Sequence, residues 1–245
     1  EEEAKALASA STSLPSITSF KVDTMEDEDG DVEFNTDSLV QGLDESFITT
    51  NLSMEQLKKF GFDTMEELNS FPPQIQDNLL LGMKIYYLLS PVYEVNKTLD
   101  ASCCAILFCK VLELQMKDCF ETSLKSIYPD VKIRGQGRGM VELKDATSNE
   151  LTLGAFQRLL ASKSSDLAKR MERIGKKGYG NEWWTTFVKR LNECKERRNK
   201  CCHSGLFSWI DQSNLLAEMF MSRNKDLMVQ MGGILFESKI GKMLS

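Results

Sequence analysis

Two stretches of this chain, Asp100–Ile127 and Asn181–His203, carry apolar residues at three- and four-residue steps over the length of a long helix. Projected at about 100° per residue, Ile106, Cys109, Met116 and Phe120 fall on one side of the first. Trp184, Phe187, Val188, Leu191, Cys194, Cys201 and Cys202 fall on one side of the second. Stripes of that width are buried by packing helix on helix, so the chain is expected to be all-α, an up-and-down helical bundle. Each stripe also holds one charge where a hydrophobe is expected, Glu113 in the first and Arg198 in the second. An unpaired buried charge costs several kcal/mol, so Glu113 and Arg198 are expected to meet across the bundle.

Local punctuation supplies the remaining elements. Ser53-Met54-Glu55-Gln56 is an N-cap with Gln at the third helical position, and Thr64 ahead of Glu66 and Glu67 opens a second short helix. Phe71-Pro72-Pro73 closes that pair. Gln74–Leu89 is apolar at helical spacing, with Ser90-Pro91 read as a stop or restart. The next helix starts at Val92 or Asp100 and ends before Tyr128-Pro129-Asp130. Further helices are expected over Leu153–Ser162 behind a Thr152 cap, over Asn181–His203, and over Asp211–Met221 after Gly205. Leu227–Leu244 adds a last helix or strand. Val131–Leu143 interrupts the series as a small hairpin or mobile basic loop. Its glycines, Gly135 to Gly139, lack the following helix and the Lys-Ser/Thr pair of a phosphate loop.

Charge divides the chain further. Residues 1–45 hold 13 acidic and 2 basic side chains, whereas residues 131–200 hold 17 basic and 8 acidic. Residues 1–42 have too little apolar periodicity for a core and read as a disordered acidic linker or tail. Residues 43–74 read as a short helical region packing on the bundle, and 75–245 as the helical domain. The basic surplus suits a polyanion, though lysine and arginine solvating helix faces give the same count.

No apolar stretch approaches the roughly 20 residues of a membrane span, because Lys84, Lys110 and Glu113 interrupt the longest ones. Residue 1 is Glu and no basic-then-apolar leader follows, so the chain reads as a fragment or processed product joined to an upstream domain. Seven cysteines, an odd number with several on buried helix faces, read as reduced thiols of a cytoplasmic protein. Cys194, Cys201, Cys202 and His203 contain no CxxC pair, so no metal and no cofactor are expected.

Chemistry concentrates in Arg198-Asn199-Lys200-Cys201-Cys202-His203, which contains the chain's one histidine. A histidine exchanges protons near neutral pH, and a guanidinium grips phosphate with a planar fork of donors. Asn199 and His203 are four residues apart on one helix face, so the amide can hold the imidazole in one tautomer. The same position also suits a histidine that caps a helix C-terminus ahead of Gly205.

Arg198-Asn199 followed by His203 resembles the Arg-x(4–6)-His signature of HEPN domains. Ala105–Gln115, which contains Glu113, resembles the long amphipathic helix with a central glutamate that precedes the motif in many of them. The likeness spans about residues 75–225 and does not account for residues 1–70 or the Gly135–Gly139 loop. It implies a HEPN-type bundle, frequent homodimers, and metal-independent endoribonuclease activity on single-stranded RNA in toxin, antiviral-defence and CRISPR-associated effectors. Carried onto this chain, His203 is the general acid or base, Arg198 binds the scissile phosphate, Asn199 orients His203, and Glu113 braces Arg198. Arg197, Lys200, Arg134 and Arg138 are the candidate RNA contacts. A HEPN-like scaffold that binds RNA or a protein without cutting is the alternative, and a fully buried Arg198 would favour it.

Overall fold

The computed structural model describes residues 24–26, 32–34, 52–96, 100–135, 139–203, 207–220 and 233–244. It is mostly helical: α1 (Met54–Lys58), α2 (Met65–Asn69), α3 (Pro73–Val95), α4 (Ser102–Ile127), α5 (Leu153–Arg173), α6 (Asn181–His203), α7 (Trp209–Phe220) and α8 (Ile234–Glu237). Two antiparallel hairpins accompany them, β1 (Thr24–Glu26) with β2 (Val32–Phe34) and β3 (Lys132–Gly135) with β4 (Gly139–Glu142). Short 3-10 turns occupy Leu143–Asp145, Ser148–Glu150 and Ser238–Met243. Among the described residues no helix is long and apolar enough to cross a membrane.

The short helices start where their caps dictate. Ser53 accepts from the Gln56 backbone while Gln56 Oε1 accepts from the Ser53 N–H, a reciprocal capping box. Thr64 does the same service for Glu67 N. Such caps contribute about 1 kcal/mol each, so these five-residue helices depend on packing. That packing is aromatic. Phe60, Phe62 and Phe71 meet Phe220 of α7 and Phe236 of α8 edge-on, which ties the start of the described body to its end.

Helix α3 corrects the expected break at Ser90-Pro91 by running through Pro91 to Val95. Proline removes one backbone bond, but Pro91 faces solvent and the following Tyr93 is buried. Tyr93 stacks on Trp209, ring centres 4.7 Å apart, and donates its hydroxyl to Asp100 O. That anchorage outweighs the lost hydrogen bond. Asp100 in turn accepts from Ser102 N and from Phe207 N, so the start of α4 is fastened to the entry of α7.

Helix α5 likewise continues past the expected end at Ser162 to Arg173. Leu160, Leu167 and Met171 extend the buried stripe, and Asp166 accepts a 2.6 Å bond from Tyr128 of the α4 terminus. Helices α5 and α6, joined by the short turn 174–180, pack against each other, and α6 also packs on α4. The end of the described chain seals α4. Ser123 Oγ donates to Gly241 O, and a Cβ on Gly241 would sit 2.6 Å from Cys119 O, so only glycine allows this approach.

The N-terminal 42 residues, expected as tail or linker, lie mostly outside the described residues. The exception is β1–β2, where Met25 pairs with Glu33.

Candidate functional site at the C-terminal end of α6

Helix α6 delivers its last two turns into the space between α4 and α7. Arg198 is 2% exposed and Glu113 8%, and Arg198 Nη2 lies 3.9 Å from Glu113 Oε2. Two lysines stand closer to the carboxylate, Lys117 at 3.1 Å and Lys110 at 3.4 Å. Burial opposes ionisation of Glu113, but Lys117, Lys110 and Arg198 together overcome it and hold its carboxyl below the ordinary range. The two charges in the apolar stripes thus face each other within a cluster of one anion and three cations. The lysines were readable from the sequence, since they sit three residues before and four residues after Glu113 on one helix face.

Asn199 is half-buried, and its Oδ1 is buried without a hydrogen-bond partner. An amide oxygen in that position can accept from an imidazole N–H one turn further on. His203 closes α6, while its side chain and the whole of Arg138 lie outside the described residues. Arg197 lies 3.7 Å from Glu193, and Lys200 is held at 2.6 Å by Asp211 of α7. Burial raises the Asp211 pKa, yet Lys200 and the Ser208 hydroxyl draw it below its ordinary value. Arg134 stands apart from this end of α6, on β3 beside Lys132 and across from Arg158 of α5. The structure therefore gathers Arg198, Asn199, Lys200, Glu113 and the backbone of His203, and places Arg134 on a separate surface.

Thiols surround the same end. Burial pushes Cys194 up to about 12 and Cys202 up to about 11, and raises Cys109 and Cys201 as well. Cys202 Sγ donates to Arg198 O and Cys201 Sγ to Arg197 O, as small side chains folded back on their own helix. They are poor nucleophiles in this state. Among the described residues no group of three or more His, Cys, Asp or Glu side chains is placed to hold a metal ion.

A second buried ionic cluster had no sequence signal. Arg190 Nε donates to Glu218 Oε2 at 3.0 Å, its Nη1 to Glu237 Oε2 at 3.0 Å, and its Nη2 to Glu218 O at 2.9 Å. One guanidinium thereby joins α6, α7 and α8. The three residues are far apart in sequence, so no spacing links them.

No family model, curated protein or solved structure matches the chain.

Proposed function

We propose that this chain is a HEPN-like ribonuclease, closed in the protomer described, that cleaves single-stranded RNA without a metal at the C-terminal end of α6. The observation that carries this reading is the convergence of Arg198, Glu113 and Asn199 where α6 closes on the lone histidine, with Asn199 Oδ1 buried and without a hydrogen-bond partner. An amide oxygen left so is placed to accept from an imidazole N–H one turn further on. In the reaction, His203 takes the proton from the ribose 2′-OH as the 2′-oxygen bonds to phosphorus. The bond from phosphorus to the 5′-oxygen breaks, and that oxygen receives a proton from a second imidazole, the partner's His203 in a homodimer. Arg198 stabilises the negative charge of the phosphorane, Glu113 fixes Arg198, and Asn199 sets the tautomer of His203. The products are a 2′,3′-cyclic phosphate and a 5′-hydroxyl.

Exposed Val92, Val95 and Ile210 lie at the end of the bundle where α3 stops and α7 begins, and a second protomer would cover them. The reading places the protein in the cytoplasm, where its seven thiols stay reduced, as an effector of defence or a toxin under the control of a regulatory partner.

One observation favours a second reading. Arg198 at 2% exposure cannot reach a phosphate, so cleavage requires the α6 end to open. A scaffold that binds RNA or a protein without cutting needs no such opening, and there Arg198 and Glu113 fix helix register. The deciding experiment incubates the purified chain with mixed-sequence single-stranded RNA in EDTA, beside His203→Ala and Arg198→Lys variants of unchanged thermal midpoint. Cyclic-phosphate ends that vanish in both variants support the nuclease. Absence of cleavage by a folded dimer supports the scaffold.

A further inference from the structure

The β3–β4 hairpin and α5 enclose a groove of about 430 Å³ whose lining includes Lys132, Ile133, Arg134, Met140, Arg158 and Leu159 and no acidic residue. Its two walls present charge for different reasons. Side chains alternate along a strand, so the inward turn of buried Ile133 leaves Lys132 and Arg134 together on the outer face of β3. On α5, Ala155, Arg158, Leu159 and Ser162 recur at helical steps, which puts exposed Arg158 above the buried Leu159. The result is an apolar floor of Ile133, Ala155 and Leu159 between cations on both sides, with Met140 61% exposed at the rim. Glu150 lies behind this wall at Gly135, buried, with its Oε2 accepting from Thr147 N and Oγ1. By contrast, a hollow at the α5–α6 turn mixes Lys169 and Lys177 with Glu172.

The height of the groove ties it to the α6 motif. Arg158 is 15 residues before the end of α5 and Arg198 is 17 residues after the start of α6. At about 1.5 Å per residue, both stand roughly 22–26 Å from the turn that joins the two helices.

We infer that this groove is a track for the backbone of single-stranded RNA, with Lys132, Arg134 and Arg158 meeting phosphates and the apolar floor meeting ribose and base faces. The choice of ligand rests on the RNA reading above. A single strand is favoured over a duplex because only unpaired bases can lay their faces on the apolar floor, and readout along it is independent of base sequence. A strand held there would be presented at the level of Arg198 by a surface that takes no part in the proton transfers.

The test measures fluorescence anisotropy of an unstructured, fluorescein-labelled RNA of about 20 nucleotides on the full His203→Ala chain, in which the proposed proton transfer is removed. Lys132→Gln combined with Arg158→Gln removes two exposed cations. It is expected to weaken binding about ten-fold at moderate salt and to lower the log–log salt slope by about 1.4, two phosphates at about 0.7 each. The charge-matched control, Lys169→Gln with Lys177→Gln, is expected to bind within about two-fold of the parent, because those lysines do not line the groove. Equal weakening by the control, or no weakening by the groove variant, overturns the assignment. Displacement of the RNA by poly-glutamate at equal charge also overturns it and assigns the groove to an acidic protein. Cleavage that ignores the groove substitutions removes the track and leaves the ribonuclease. Groove-dependent binding without any cleavage does the reverse.

Discussion

Glu113 serves three cations at once, and two carboxylates of this chain respond to pH in opposite directions. For Glu113 the folded pKa lies below the unfolded one. Its contribution to stability is present above the ordinary glutamate range and is lost as pH falls through the folded value. Glu113→Ala leaves Arg198, Lys110 and Lys117 without their shared anion and is expected to destabilise by about 3 kcal/mol, read as a lower urea midpoint at pH 7. An unchanged midpoint would refute the pairing. Glu237 behaves in the other sense. Burial raises its pKa from 4.5 to about 7, against the pull of Arg190 and with a push from Glu218. Between those values the folded state keeps a proton that the unfolded chain has released, so stability falls as pH rises across that window. Glu237→Gln is expected to remove this slope, worth about 2 kcal/mol, and to leave the variant more stable than the parent at pH 8. Thermal midpoints of both proteins at pH 5 and pH 8 check it.

At the scale of elements, the last turn of α3 exists because Tyr93 holds it. Tyr93→Phe keeps the stacking on Trp209 and loses only the hydroxyl bond to Asp100 O, so a loss of about 1 kcal/mol is expected in chemical unfolding. Tyr93→Ala loses the ring as well and is expected to cost about 4 kcal/mol. This dependence also explains what the sequence concealed. Proline marks helix ends because of local sterics, and nothing local announces that Tyr93 will find Trp209 more than a hundred residues away. The polar run Lys163-Ser164-Ser165-Asp166 similarly hid the second half of α5, which is recovered by Tyr128 bonding to Asp166. The caps at Ser53, Thr64 and Thr152 were legible because capping is decided within four residues. The stripes of α4 and α6 were legible because periodicity is intrinsic to the element, and it placed Trp184 and Phe187 in the core, where they are fully buried. Trp183 is buried with them.

Across the whole molecule, one hydrophobic core runs from Leu57 to Ile240. The candidate site was half legible: the intended neighbours Arg198 and Glu113 stand out as charges in apolar stripes, but their near-complete burial follows from α7 and α4 closing around them. Arg190 with its two carboxylates was invisible, since only the assembled α6, α7 and α8 bring it together.

The seal of Gly241 and Ser123 on α4 has a meaning for the chain during its synthesis. The two partners are 118 residues apart, and Ile234, Leu235 and Ile240 fill space against helices translated well before them. At roughly 5–20 residues per second, a ribosome takes several seconds or more to travel from one to the other. Throughout that interval α4 is made but this covering is not, and Phe120 has only its other partners, Trp184 and Phe187 of α6, to pack on. The residues of the charged centre between α4 and α6 are therefore all synthesised before those that close over Ser123, and the closing segment is the last part of this core to be made.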